Sequence, residues 1–279
     1  MARRTDRATS PKPRALWRGT LTVGLVNVPV SLHRAVRRKG LPFHEIHDQD
    51  SGRIRRRELC AIDGAPVPRA HIVKGLEVER GRWVTVTDAE LRALEPQASR
   101  AIEIVAFVDP REIDPIFYER TYWLVPDEGS GHAGALIGAA MARLHRVAVA
   151  RFTMRARQHL ATIRPASGEG GASALALSTL GYADEILPLA GLGIPSPPGQ
   201  PGERELALAE RLVESLSGRF QPERYHDEHR AKVLRYLHEK AEGRAPVPSP
   251  EPAPAGDPGD LFGALSASVA EAERHRTAA

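Results

Sequence analysis

Histidines and carboxylates occur in this chain at spacings that invite a metal or acid–base reading. His44 and His47 in FHEIH, and His226 and His229 in YHDEHR, each offer two imidazoles three residues apart. In a strand, positions three apart face opposite sides, which separates the first pair, and the second pair suits a solvated helix face with no third ligand apparent in sequence. Cys60 is the single cysteine, so neither an intrachain disulfide nor a thiolate pair can form, and it reads as a small core residue. Asp109, Glu112, Asp114 and Glu119 of FVDPREIDPIFYE form an acidic cluster on paper. The prolines after Asp109 and Asp114 make them turn and edge-strand residues instead. No P-loop and no GxSxG elbow is present. The expectation is a protein with no catalytic residue, no metal and no cofactor.

The basic residues carry more information. The first 57 residues hold fourteen Lys or Arg against four Asp or Glu, a net of +10. With 39 basic and 35 acidic residues in all, 25 against 31 remain, a net of −6, so the overall +4 conceals a dipolar chain. A second stretch, Gly129 to Gly168, contains no acid while Arg143, Arg146, Arg151, Arg155, Arg157 and Arg164 recur. Arginine suits phosphate because its guanidinium is always charged and presents a planar fork of donors. The competing explanation, an Arg-rich composition that merely solvates exposed faces, does not account for so sharp a segregation of the acids. Aromatic residues make up only 5%, too few for a single-strand stacking platform, which leaves the duplex backbone as the expected target.

These residues must be positioned by short elements. LWRGTLTVGLVNVPVSLHRA, rich in Val, Leu and Thr, predicts strands that bend or bulge at Gly19 and Gly24. FHEIH (43–47) and RIRRREL (53–59) are strand candidates around a turn, with Arg53, Arg55 and Arg57 on one face and Arg56 on the other. WVTVT follows, then TDAELRAL, in which Thr87 and Glu90 form a capping box. Further strands are expected at RAIEIVAFV, TYWLVPD, AVARFTMRA, QHLATIRP and ALALSTL, with a helix at HAGALIGAAMARLHR. Many short strands and few helices favour a β-rich barrel or an α+β core over a doubly wound sheet.

After about residue 190 the composition shifts. A Pro/Gly connector leads into ERELALAERLVESLSGRF and then PERYHDEHRAKVLRYLHEKAEG, two amphipathic helices, the second with Tyr225, Val233, Leu234 and Leu237 on its apolar face. DLFGALSASVAEAER, with Asp260 as N-cap, predicts a last helix whose apolar side carries Leu261, Phe262, Leu265 and Val269. A tethered helix this short is marginal alone, so it is expected to dock into a partner's groove or to fold back on its own domain. The expected organisation is a disordered basic arm over 1–13, a barrel core for DNA binding over 14–190, a helical arm over 191–243, a Pro-rich linker over 244–259 and a partner-recruiting tail over 260–279. The absence of a leader and of long apolar runs predicts a cytoplasmic protein with no membrane partner.

Taken in order, RALWRGTLTVGLVNVPVSLHRA, FHEIHDQDSGRIRRREL, IVKGLEVERGRWVTVTDAELRALEP, IEIVAFVDPREIDPIFYERTYWLVPD, LSTLGYADEI, the helical arm and DLFGALSASV resemble the bacterial Ku proteins over about residues 14 to 270. The resemblance implies an intertwined, ring-shaped homodimer that threads onto double-stranded DNA ends in nonhomologous end joining and recruits a multifunctional ATP-dependent DNA ligase. It places the ligase contact on Leu261, Phe262 and Leu265. Many relatives carry a CxxCG knuckle where this chain reads CAIDG, so Asp63 replaces a cysteine and no zinc is expected at Cys60. The tail also lacks a long Lys-rich extension. From the charge map, the DNA-facing set is Arg34, Arg37, Arg38, Lys39, Arg53, Arg55, Arg56 and Arg57 with Arg151, Arg155, Arg157 and Arg164. The alternative from another class is a nucleoid-type architectural protein that coats duplex DNA internally; a nuclease or acyl hydrolase finds no site in the sequence.

Overall fold

The period-2 pattern of the N-terminal run produces a hairpin. Strands β1 (Trp17–Val23) and β2 (Val26–Arg34) pair antiparallel from Val23↔Val26 to Trp17↔Leu32. Gly24, at φ 56°, lies in the two-residue turn between them rather than at a bulge, a backbone conformation that side-chain-bearing residues rarely adopt. The computed structural model describes residues 14–37, 39–94, 100–155, 157–167, 173–195, 199–200, 202–244 and 261–277. The basic arm, Arg38, Asp260 and the Pro-rich linker beyond Arg244 lie outside them. The chain divides into two units, one of Met1–Lys39 with Phe43–Pro188 and one of Gly40–Pro42 with Leu189–Ala279.

After the hairpin come β3 (Lys74–Glu79), β4 (Arg82–Val86), helix α1 (Asp88–Leu94), β5 (Ala101–Val108), β6 (Tyr118–Pro126), helix α2 (Gly131–Leu144), β7 (Val147–Met154), β8 (Arg157–Ser167) and β9 (Ser173–Leu180). Seven of these strands close a barrel in the order β1-β2-β6-β9-β8-β7-β5. The closing seam is a parallel pair between β1 and β5, with Thr20 opposite Ala101 and the Thr20 N–H donating to the Arg100 carbonyl at 2.7 Å. Closure removes every free edge of the sheet.

Alternation fixes which side chains fill the barrel. Val28, Val30 and Leu32 of β2, Ala148, Ala150 and Phe152 of β7, Ala161 and Ile163 of β8, and Leu175 and Leu177 of β9 form one buried cluster. Helix α2 packs on β8 and β9, and its Met141 joins that cluster. Trp17 reaches across the seam, donating Nε1–H to the Thr153 carbonyl at 3.0 Å and meeting Phe152 edge-on at 6.1 Å.

The segment between β2 and β3 departs from the sequence expectation. FHEIH and RIRRREL are not strands; only the isolated bridges Ile46↔Arg53 and Leu59↔Pro66 form there. Basic residues at three successive positions, 55 to 57, leave no alternating apolar face to bury, so sheet pairing gains little. The β3–β4 hairpin stands as a separate two-stranded sheet. The capping box before α1 forms as expected: Thr87 Oγ1 accepts from the Glu90 N–H at 3.2 Å while Glu90 Oε2 accepts from the Thr87 N–H at 2.8 Å.

The second unit contains α3 (Glu203–Leu216), α4 (Glu228–Ala241) and α5 (Leu261–Thr277). Helix α4 begins later than its apolar spacing predicts, because the Asp227 carboxylate caps it by accepting from the Arg230 N–H at 2.8 Å. Tyr225 therefore lies outside the helix and stacks on Phe220, with ring centroids 5.8 Å apart. Helix α5 packs against α3. On α3 the half-buried stripe is Leu208, Ala209, Leu212 and Ser215; on α5 it is Leu265, Ser266 and the buried Val269.

Candidate nucleic-acid interface

Strand parity sorts the predicted arginines into three groups. Arg151 on β7 and Arg164 on β8 alternate with the buried residues and so project from the outer wall of the barrel. Arg151 lies 3.7 Å from Glu103 on the neighbouring strand, and Arg164 is opposite Ala176. Arg157 has the opposite parity, shared with His159, Ala161 and Ile163, and Arg155 occupies the turn before it; both line a recess at one end of the barrel. Arg34, the last residue of β2, is cross-strand from Tyr122, which lines the same recess. Arg37 and Lys39 follow as exposed residues, while Arg38 lies outside the described residues.

The third group, Arg53, Arg55, Arg56 and Arg57, is exposed on the irregular segment. Because no strand forms, the face assignment expected from alternation does not apply; side-chain pairing distinguishes these residues instead. Arg56 donates from the single nitrogen Nη2 to both Glu45 carboxylate oxygens, at 2.7 and 2.8 Å, an ion pair that neutralises its charge locally. Arg53, Arg55 and Arg57 have no such ion pair among the described residues, which leaves their charge free for an external anion.

Sequence reasoning missed Arg120. It sits on β6 with the parity of Tyr122 and Leu124 and lines the barrel recess together with Arg155 and Arg157. The signal was present in the alternation of YERTYWL, where Arg120 falls on the face that is apolar further along. Arg14 and Arg18 were likewise unassigned; both line a larger surface groove with Trp123 and Asp127, and Arg18 lies 3.5 Å from Asp127.

The carboxylates once weighed for chemistry serve the backbone. Asp109 and Asp114 each cap a short 3-10 turn, accepting from the N–H two residues on at 2.9 Å. The Arg111 side chain and backbone donors, with Arg146 at 3.4 Å, hold the Asp109 carboxyl far below its usual range. In CAIDG, Asp63 accepts from the Ala65 N–H at 3.0 Å and from the Cys60 thiol, which lowers its pKa and makes it a turn anchor. Neither His44 with His47 nor His226 with His229 gathers a third metal-ligating side chain among the described residues. Of the tail residues, Leu265 is half-buried, and the side chains of Leu261 and Phe262 lie outside the described residues. No helix among the described residues is long and apolar enough to cross a membrane.

The fold and its surface define a closed seven-stranded β-barrel protein with unpaired arginines at one barrel mouth and on an extended external segment. The family model for the Ku70/Ku80 beta-barrel domain matches residues 22–208. The chain is 49% identical over 262 residues to the non-homologous end joining protein Ku of Anaeromyxobacter sp. (strain K), covering 94% of this chain and 86% of that protein. It is 40% identical to the protein of that name from Symbiobacterium thermophilum, over 95% of this chain and 65% of that one. It is 38% identical to non-homologous end joining protein Ku 1 of Saccharopolyspora erythraea, over 95% and 80% respectively. The chain belongs to the Ku family.

Proposed function

We propose that this chain is a non-enzymatic DNA-repair factor of bacterial nonhomologous end joining, acting in the cytoplasm at the nucleoid. Two copies close a ring around double-stranded DNA at a broken end, and the tail recruits an ATP-dependent DNA ligase. The barrel core over 14–190 binds DNA and dimerises, and the arm over 191–243 with the linker over 244–259 carries the tail over 260–279. Alongside family membership, one observation carries the reading. No described residue between His33 and Ala101 is buried, although this segment holds Arg53, Arg55 and Arg57 and the β3–β4 hairpin. Leu76, Trp83 and Val84 on that hairpin are 70%, 60% and 51% exposed. A lone two-stranded hairpin is marginal in water, so an ordered segment with this much exposed apolar surface is expected to be covered by another chain. A second copy supplies the cover and, through its two-fold axis, the second half of an opening.

The phosphate backbone makes such binding blind to sequence, and encirclement makes it selective for ends, since a closed ring meets no entry on a circle. The purified protein should run as a dimer in light scattering. It should also hold linear duplex far more tightly than a covalently closed circle of the same sequence in a gel shift. A monomer, or equal retention of both forms, would overturn the ring, and equal retention is the result a nucleoid-type coating protein gives.

Ligase recruitment is assigned to Leu261, Phe262 and Leu265 at the start of α5. Replacing Phe262 and Leu265 by Asp should leave DNA binding intact and abolish stimulation of the ligase in an end-joining assay. Undiminished stimulation would remove the tail as the docking element. The contact of α5 with α3 favours docking through the first turn of α5 or after the helix leaves α3.

A further inference from the structure

The barrel end that carries Arg34, opposite the Pro126 end where α2 begins, opens into a recess of about 260 Å³. Its walls come from four strands, with Tyr122 of β6, Met154 of β7, His159 of β8 and Thr179 of β9 on the inward face. Three arginines line this recess, Arg120, Arg155 and Arg157. Arg157 is held by Glu185 at 2.5 Å. Arg120 and Arg155 have no carboxylate partner among the described residues, and the one acid on the lining, Glu119, does not balance them.

The conformation of Arg155 is a second, independent observation. Met154 pairs with Arg157, so Arg155 is the first residue of a two-residue hairpin turn, and its φ is 54°. Such turns favour Gly or Asn because a Cβ opposes positive φ. An arginine kept where glycine would relieve strain is explained when its side chain is needed at the recess. His159 lies at the same place, and burial lowers its pKa.

We propose that this barrel mouth is a phosphate-binding site, in which Arg120 and Arg155 grip a single phosphoryl group. The paired forks match tetrahedral oxygens, while the Thr179 hydroxyl is taken up by the Arg120 backbone, accepting from its N–H at 3.3 Å and so fixing the strand that carries Arg120. A recess of 260 Å³ is below the range that encloses drug-sized ligands, about 300 to 1,000 Å³, so it has room for a phosphate with its water, and the rest of any larger ligand would lie outside it. The phosphate comes from a DNA terminus or from a small free phosphate, and experiment separates the two.

Pyrophosphate titrated calorimetrically into the full-length wild-type protein should give saturable binding. Arg155→Gly should weaken that binding at least tenfold while the melting temperature stays level or rises, because glycine relaxes the turn. Arg120→Gln should weaken it similarly. Wild-type pyrophosphate affinity in Arg155→Gly, or a lowered melting temperature that shows a structural role for the side chain, overturns the site. In a second arm, duplexes with 5′-phosphate and 5′-hydroxyl ends are compared. A preference for the phosphate that disappears in Arg155→Gly assigns the site to DNA termini; equal affinity, with pyrophosphate binding intact, assigns it to a free phosphate. The calorimetric arm contains no DNA, so its failure removes the site and leaves the end-binding reading standing.

Discussion

Replacing Arg53, Arg55 and Arg57 together by Glu should weaken binding to every duplex alike, by about a hundredfold near 0.15 M salt. If each arginine neutralises one phosphate, the six arginines lost from a bound dimer remove about 5 units from the steepness of log K against log salt. The Glu45 partner of Arg56 explains why the triple variant leaves that residue out: its charge already faces a carboxylate. The measurement is a salt titration of affinity on two unrelated linear duplexes. Loss confined to one sequence would place these side chains at base edges rather than on the backbone, and an unchanged salt slope would remove them from the interface.

A change that alters no charge should be comparably damaging to the fold. Gly19 has the inward parity of β1, and the space its side chain would take is occupied. A Cβ there would lie 2.1 Å from the Arg100 carbonyl oxygen and 2.2 Å from the Trp17 indole. That oxygen accepts the Thr20 N–H at the parallel seam, and that indole spans the seam to Thr153. Gly19→Ala therefore opposes both barrel closure and the ring that covers it, and should cost about 3 kcal/mol, the upper part of the usual range for overpacking. Denaturant midpoints of the two proteins give the answer; a difference under about 0.5 kcal/mol, the range of a neutral surface change, would mean that the seam relaxes freely. A two-state fit is appropriate only if both units unfold together, so a probe in the barrel is the relevant one: the fluorescence of Trp17 and Trp123 in a Trp83→Phe background.

The barrel strands were legible in the sequence because each carries its own local signal. The Val- and Thr-rich alternation of β1 and β2, and the apolar runs that become β5 to β9, specify extended chain from neighbours alone. The same holds for the box of Thr87 and Glu90, and for α2 and α3. RIRRREL failed as a strand for the converse reason: β propensity expresses packing against a partner face, and this run of charge has none to offer. Tyr225 was misplaced because helical spacing says nothing about where a side-chain cap such as Asp227 starts the helix.

By itself, the sequence determined charge: a basic N-terminal third, an acid-free stretch from Gly129 to Gly168, and segments whose order resembles the Ku family. Only the tertiary structure decided which charges meet. Closure through β1 and β5 sets the parity of every strand, so Arg151 and Arg164 go to the outer wall while Arg120, from another part of the chain, joins Arg155 and Arg157 at the mouth. Pairing with Glu45 and Glu185 then decides which of the clustered arginines remain free. Composition is a property of each residue, but proximity between residues distant in sequence exists only after the chain has closed on itself.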